Sequence, residues 1–374
     1  MKIVHILKGK ANPETLNGVN RVVHWMATSQ TRLGHEVEVW GLAESMTPPP
    51  QERVYRLRLF PLTRLRVTLG QGIRTALDRL EADAWVQFHS VFIPEYPAIA
   101  RLLKRRGQAY GITPHGGYAR GVLARNRWRK SVYIACREAR YLRGAAWVQA
   151  IGESEIQDLR KLSPGARVVL IPNGQEPLKA PWAEPVGAER PLFGYCGRLA
   201  MKSKGLDLLI AGFADYKAKG GTGELWLIGD GEDRARLERQ AEESCARSHM
   251  RFFGARYGEE KLKFLAGFDV FLHSSRWEGI PTTCLEAAAL GRPLVVSRET
   301  NLAGYVERGA AGLVLEETSV AGVSNALDRV RLLYESHRLE GIGQNACSLI
   351  AKDFSWGKNA RSFAAAIAVS NHVV

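Results

Sequence analysis

The stretch His273-Ser274-Ser275-Arg276-Trp277-Glu278-Gly279-Ile280-Pro281-Thr282-Thr283-Cys284-Leu285-Glu286-Ala287-Ala288-Ala289-Leu290-Gly291-Arg292-Pro293 decides how the chain is read. The apolar run before it, Phe268-Asp269-Val270-Phe271-Leu272, reads as a buried parallel strand. A loop carrying Glu278 follows, and Pro281 stands where a first helical residue would be, its fixed φ suited to a helix start. Leu285, Ala287 to Ala289 and Leu290 continue the helix, and Gly291 with Pro293 ends it. Strand, loop and helix N-terminus together make an anion site, because unpaired backbone N–H groups and the positive end of the helix dipole meet at the loop. Two carboxylates, Glu278 and Glu286, stand eight residues apart in that site. A diphosphate on the helix end, flanked by carboxylates that accept from sugar hydroxyls, fits a nucleotide-sugar. On spacing alone Glu286 serves equally as a first-turn residue favoured by the dipole, and Glu278 as a solvated loop residue.

Working outward, 374 residues are too many for one core of typical size, so two domains are expected. An apolar fraction of 45% with 24% charged residues is that of an ordinary soluble globular protein. The N-terminal run Ile3-Val4-His5-Ile6-Leu7 is too short for a signal peptide, and no apolar run reaches membrane-spanning length. Five scattered cysteines, none in a CxxC pair, read as small buried hydrophobes of a reducing, cytosolic compartment. The net charge of +14 is unevenly placed. Residues 1–150 carry 24 Lys and Arg against 10 Asp and Glu, whereas 151–374 carry 28 of each. Residues 101–143 alone hold 12 basic side chains and one acid, Glu138. Such a half implies a large anionic partner, a membrane surface or nucleic acid.

Strands are expected at Lys2–Leu7, His35–Trp40, Arg53–Phe60, Ala84–Phe88, Ala109–Thr113 and Ala146–Ala150, with helices at about 68–81, 95–106 and 121–143 between them. This alternation argues for a doubly wound parallel sheet, with ligands beyond the carboxyl ends of its strands. Gly18 opens the first helix, where it suits either close approach of backbone to a phosphate or a plain helix start; no GxGxxG is present. Pro114-His115-Gly116-Gly117 sits at a strand end, where His115 faces a ligand or bonds locally. From Tyr118 to Arg143, basic residues interleave with Trp128, Val132 and Ile134, the composition of an interfacial membrane helix or of an amphipathic helix with one solvated face.

Five prolines between Pro172 and Pro191 mark an interdomain linker. The second domain repeats the alternation, with strands at Phe193–Cys196, Leu225–Ile228, Met250–Gly254, Asp269–Leu272 and Pro293–Ser297. Arg198 and Lys204 flank a strand-to-helix loop, where cations meet a diphosphate or stand as surface charge. The last helix, with Trp356 and Phe363, reads as packing. D-x-D, HExxH, CxxC, G-x-S-x-G and P-loop lysine patterns are all absent.

Together the Gly18 loop, Gly34-His35-Glu36-Val37, Pro114-His115-Gly116, Ile171-Pro172-Asn173-Gly174, Gly197-Arg198-Leu199 with Lys204-Gly205, and Glu278 through Glu286 resemble, over nearly the whole chain, the retaining glycosyltransferases of the GT-B fold, family four, "group 1". The resemblance implies two Rossmann-like α/β domains with parallel sheets facing a central cleft. Residues 1–173 would bind the acceptor and 174–355 the donor, with a C-terminal helix, 356–374, crossing back to the first domain. By resemblance Arg198 and Lys204 neutralise the donor diphosphate, Glu278 stands by the donor sugar and phosphate, and His115 lies beside the transferred sugar. Glu286 accepts from the ribose hydroxyls. The backbone of Gly279, Ile280, Thr282 and Thr283 lines the pocket, Gly18 contacts the diphosphate, and the base lies near Phe253–Arg256. Many relatives have glycine at Pro281, so one backbone donor is lost here.

The implied reaction is transfer of a hexose from a nucleoside diphosphate, UDP favoured and GDP-mannose next, with retention of configuration. No metal and no cofactor are expected, leaving-group charge falling to Arg198, Lys204 and helix dipoles. The basic Arg101–Arg143 region fits an anionic membrane surface and a lipid-diphosphate-saccharide acceptor of cell-surface polysaccharide synthesis, in a cytoplasmic protein peripheral at the inner face. A nucleotide-sugar epimerase or phosphorylase of the same fold, and a nucleic-acid-binding protein, are the weaker readings. Epimerases lack the cation and paired-glutamate set, no phosphorylase cofactor lysine is found, and no nucleic-acid recognition module is present.

Overall fold

Among the described residues, the apolar runs separated by helical segments pair only in parallel, in two sheets. This computed structural model describes residues 1–13, 18–63, 68–118, 123, 127–178 and 187–371. The first sheet contains Lys2–Lys8 (β1), Glu36–Ala43 (β2), Arg56–Pro61 (β3), Trp85–His89 (β4), Tyr110–Thr113 (β5), Trp147–Ala150 (β6) and Val168–Leu170 (β7), in the order β3-β2-β1-β4-β5-β6-β7. The second contains Leu192–Cys196 (β8), Glu224–Ile228 (β9), Met250–Phe252 (β10), Val270–His273 (β11), Leu294–Val296 (β12) and Gly312–Val314 (β13), in the order β10-β9-β8-β11-β12-β13. In each, the order reverses at the first strand, between β1 and β4 and between β8 and β11. Open α/β sheets bind ligands beyond the carboxyl ends of the strands at such a reversal.

The chain divides into two units. The first takes Met1–Gly174 and the segment from Trp356 onward, the second Gln175–Ser355. In the first, β4 and β6 are buried throughout, as crossover helices on both faces of a parallel sheet require. The helix Gly18–Arg32 and the C-terminal helix Trp356–Asn371 pack on one face. There Trp85 and Trp147 stack with centroids 5.4 Å apart, and Phe363 meets Trp147 edge-on. The C-terminal helix is tied to its unit at its first turn. A Cβ on Gly174 would lie 2.3 Å from the Trp356 ring, and Asn359 Nδ2 donates to the Pro172 carbonyl at 2.9 Å. On the other face Phe88, Tyr96, Tyr110 and Tyr141 form an aromatic core. The Tyr96 hydroxyl donates to the His89 carbonyl at 2.7 Å, fastening the end of β4.

The second unit has a core on each face of its sheet, Phe193, Phe213 and Tyr216 on one and Phe268, Phe271 and Phe354 on the other. Each such ring contributes roughly 1.5–3 kcal/mol by leaving water.

Several expectations are corrected. β7 and β13 were not expected; each is three residues long and half-buried, so neither alternation nor an apolar run marks it. Pro281 caps its helix, with ψ at 119°, and the helix begins at Thr282. The expected helix over 121–143 contains Arg127–Tyr133, a π-helical turn over Ile134–Glu138 and Ala139–Arg143. The wide turn places Glu138 in the interior, where it accepts from the Phe92 N–H at 2.9 Å and from the Tyr118 hydroxyl. Residues 119–122 and 124–126 of that segment, and 179–186 of the proline-rich linker, lie outside the described residues. Only Cys196 and Cys284 are buried. Cys136, Cys245 and Cys347 are exposed, and all five are free thiols.

Candidate functional site

Beyond β8 the chain enters Gly197-Arg198-Leu199-Ala200, makes a short helix, Met201–Lys204, and turns at Gly205 with φ at 62°. A side chain at Gly205 is excluded twice: the conformation is left-handed, and a Cβ would lie 2.2 Å from the Ser274 carbonyl oxygen. That close approach seats the loop after β8 against the loop after β11. The Ser274 hydroxyl donates to the Gly205 carbonyl at 3.1 Å. Arg276 forks onto Asp207 with both contacts at 2.7 Å and donates to the Met201 carbonyl at 2.8 Å. Arg276 is thus the brace between the loops. The sequence reading passed over it, because its partner lies 69 residues away.

Between the braced loops Lys204 and Glu278 form an ion pair. Burial lowers the Lys204 ammonium to about 8, whereas the touching carboxylate favours the charged form. His273, fully buried, places Nε2 2.9 Å from the Ser275 hydroxyl and 3.7 Å from Glu278. Burial and Lys204 hold its ring well below the ordinary histidine range, so it is neutral.

Thr282 and Thr283 open the next helix. Its first intrahelical bonds run from the N–H groups of Cys284 and Leu285 to the Pro281 carbonyl, at 3.1 and 3.3 Å. The N–H groups of Thr282 and Thr283 are the orphan donors of a helix start. Gly279 is held through its carbonyl, which accepts from the Asn301 N–H at 3.2 Å, and the Ile280 side chain is buried in the core. Glu286 is only 3% exposed, and both its oxygens accept from Lys261 Nζ, at 2.7 and 2.8 Å. Lys261, on the helix Gly258–Gly267, was not singled out from the sequence; nothing local marks a lysine whose partner is 25 residues on.

Of the other expected residues, Arg198 projects into solvent, its side chain 61% exposed and 3.8 Å from Glu232. Arg256 pairs with Glu260 at 2.9 Å. Lys204, Glu278, Thr282, Thr283 and Glu286 therefore gather at the reversal of the second sheet, with Arg198 and Arg256 at its margin. Gly18 and His115 belong to the first unit. A Cβ on Gly18 meets nothing within 4 Å, so the protein's own packing does not demand glycine there. His115 follows β5 with φ at 52° and bonds through Nε2 to His89 Nδ1 at 2.9 Å.

Residues 16–177 match the family described as Glycosyltransferase Family 4, and residues 179–346 match Glycosyl transferases group 1. Similar proteins include the lipopolysaccharide core biosynthesis glycosyltransferase LpsE of Rhizobium meliloti, 32% identical over 28% of this chain and 31% of its own length. A GDP-mannose-dependent alpha-mannosyltransferase of Mycobacterium tuberculosis is 36% identical over 37% of this chain and 31% of its own. These two are thus matched over under a third of their lengths. Glycogen synthase of M. tuberculosis is 26% identical over 92% of this chain and 89% of its own. Among solved structures, HepE of Anabaena in complex with UDP-glucose superposes with a TM-score of 0.71 at 15% identity, covering 99% of this chain and 100% of that one. Two doubly wound parallel sheets joined in this order define the GT-B class. The chain belongs to the family-four, group 1 glycosyltransferases.

Proposed function

We propose that the chain is a retaining hexosyltransferase that uses a nucleoside diphosphate sugar, a UDP-hexose before GDP-mannose, as donor. The observation that carries this reading is the Lys204–Glu278 pair set beside the free N–H groups of a helix start at the reversal of the second sheet. In this reading the donor diphosphate lies against the Thr282 and Thr283 N–H groups and Lys204, with Arg198 reaching in from the margin. Glu278 lies at the sugar, Glu286 at the ribose and Arg256 near the base. Gly18 and His115, which the resemblance also assigns to the donor, belong to the first unit. As the sugar C1–O bond breaks, negative charge grows on the leaving phosphate, and the fixed cation and dipoles stabilise it. The acceptor hydroxyl attacks C1 on the face the phosphate leaves, and its proton passes to a phosphate oxygen. No enzymic nucleophile, metal or cofactor is given a part.

The acceptor in this reading is a lipid-linked saccharide at an anionic membrane. Trp128 and Val132 are 69% and 57% exposed, and the Arg129 guanidinium lies 5.2 Å from the Trp128 ring centroid. Arg137, Arg140 and Arg143 follow on the same segment. Exposed Trp among arginines is the chemistry of an interfacial contact. The similarity to LpsE favours an acceptor of lipopolysaccharide type. No helix among the described residues is long and apolar enough to cross a membrane.

The test is thermal stabilisation by UDP, GDP, UDP-hexoses and GDP-mannose, with and without EDTA, followed by transfer of labelled hexose to a lipid-diphosphate saccharide and NMR of the product anomer. Stabilisation that survives EDTA, with transfer and retention, is the expected result. A folded protein that none of these donors stabilises would overturn the reading.

A further inference from the structure

Three imidazoles stand in a row in the first unit. His5, mid-way along β1, and His89, at the end of β4, are buried, and His115 follows β5. His5 Nδ1 lies 2.8 Å from His89 Nε2, and His89 Nδ1 lies 2.9 Å from His115 Nε2. At the far end His5 Nε2 lies 2.6 Å from Oε1 of Gln30, which is itself fully buried. Parallel pairing sets the row: His5 is opposite Gln87, two residues before His89, and His89 is opposite Thr113, two before His115.

Each contact in such a row consumes one N–H and one lone pair, so the proton on one ring dictates the next. Gln30 Oε1 can only accept, so His5 carries its proton on Nε2 and presents a bare Nδ1. His89 must then carry its proton on Nε2, and so must His115. We propose that Gln30, acting through His5 and His89, fixes His115 in its Nε2–H form, so that Nδ1, the ring nitrogen left for a ligand, is a hydrogen-bond acceptor. Turning the Gln30 amide over would reverse every proton in the row, so one residue sets the state of a ring two histidines away. Burial keeps the row neutral: His5 is lowered to about 4, His115 to about 3 and His89 well below the ordinary value. An imidazolium, which donates from both nitrogens, would break the relay. Phe363 of the C-terminal helix covers His5 with ring centroids 5.8 Å apart.

The consequence rests on the glycosyltransferase reading. A bare nitrogen takes a hydrogen bond from a sugar hydroxyl and repels a phosphate oxygen, so His115 reads the sugar and not the diphosphate. Gln30 is then a positioning residue.

The experiment is a long-range 1H–15N correlation spectrum of the ligand-free protein with 15N-labelled histidine at neutral pH, assigned with His5→Asn, His89→Asn and His115→Asn. The expected result is the Nε2–H pattern for all three rings. A Nδ1–H pattern at His115, or an average of the two, overturns the proposal, and the wild-type spectrum alone decides. Gln30→Glu, which still offers an acceptor, should keep the pattern, and Gln30→Met should blur it at His115. In kinetics Gln30→Met should raise the donor KM about tenfold, the loss of one well-placed hydrogen bond, while affinity for the bare nucleoside diphosphate stays unchanged. Because the spectrum needs no substrate, a failed transfer assay with the pattern intact would count against the transferase reading alone.

Discussion

The two units place opposite chemistries at the same topological position. At the reversal between β1 and β4, the first buries neutral imidazoles and an amide: His5, His89 and Gln30. At the reversal between β8 and β11, the second assembles ion pairs: Lys204 with Glu278, Lys261 with Glu286 and Arg276 with Asp207. Net charge runs the other way. The first 150 residues hold all of the +14, and the rest of the chain is neutral overall. A unit's net charge therefore says nothing of whether its ligand end is charged. Arg101, Lys104, Arg105, Arg129, Arg140 and Arg143 of the first unit are exposed on helices, whereas the second unit sets charges in pairs at its sheet's end. One strand order supports both arrangements, because the side chains beyond the strands are free of the packing that fixes the sheet.

The largest expected effect tests whether the second unit's pairs are truly buried charges. Glu286→Ala removes the only partner of Lys261 among the described residues and should cost about 3–5 kcal/mol in urea unfolding, because the ammonium is left unpaired in the interior. Adding Lys261→Met to Glu286→Leu should recover most of that loss, since an apolar pair avoids the desolvation cost. A loss under about 1 kcal/mol for Glu286→Ala, the range of a surface pair, would mean that Lys261 escapes to water and that the contrast with the neutral imidazole row of the first unit is weaker.

Next in size is Lys204. Lys204→Ala should lower kcat roughly 10²–10³-fold, the scale for losing one fixed stabiliser of developing charge. The pH profile sharpens the point. With its folded value lowered to about 8 from 10.5, Lys204 loses its proton above pH 8, and activity should fall there. Stability moves the opposite way. Between about pH 8 and 10.5 the unfolded chain binds the proton that the folded chain has released, so this residue's contribution to stability rises with pH. Lys204→Arg should carry the alkaline limb beyond the measurable range. The buried histidines of the first unit, lowered to about 4 and about 3, predict no matching limb between pH 6 and 8. An alkaline limb unchanged in Lys204→Arg would assign the titration to another group.

How far these features could be read from the sequence follows from how local each one is. Arg198, Lys204, Gly205, Glu278 and Glu286 lie in strand–loop–helix segments whose glycines and prolines mark them within twenty residues, so their place in the fold was legible. The contacts that brace them were not. Asp207 reaches Arg276, and Lys261 reaches Glu286, only once parallel strands have brought separate crossovers together. His5 reads as an ordinary strand residue and His89 falls just past the expected strand Ala84–Phe88; they are 84 residues apart, and only the register of β1 against β4 makes them neighbours. β7 and β13 were missed because three half-buried residues carry no period. The exposed cysteines were missed because frequent burial of a residue type says little about a given one.

The smallest effect on the fold asks what the surface charge of the first unit is for. Trp128→Ala should change unfolding stability by no more than about 0.5 kcal/mol, since the ring is exposed and lies against the neighbouring Arg129. Binding to vesicles rich in phosphatidylglycerol should nonetheless fall, and further in Arg129→Glu/Lys130→Glu, at about 1 kcal/mol for each charge taken from an anionic surface. Leu332→Ala in the second unit, where Leu332 is 51% exposed on the helix Val320–Glu335, is the matched control and should leave vesicle binding alone. The loss should shrink as salt rises, because a Debye length of about 8 Å at physiological ionic strength shortens further. If both units' variants bound alike, the +14 would be general surface charge. If only the Trp128 and Arg129/Lys130 variants lost binding, the units would divide the work as their chemistry does, one meeting a membrane and the other holding a charged donor.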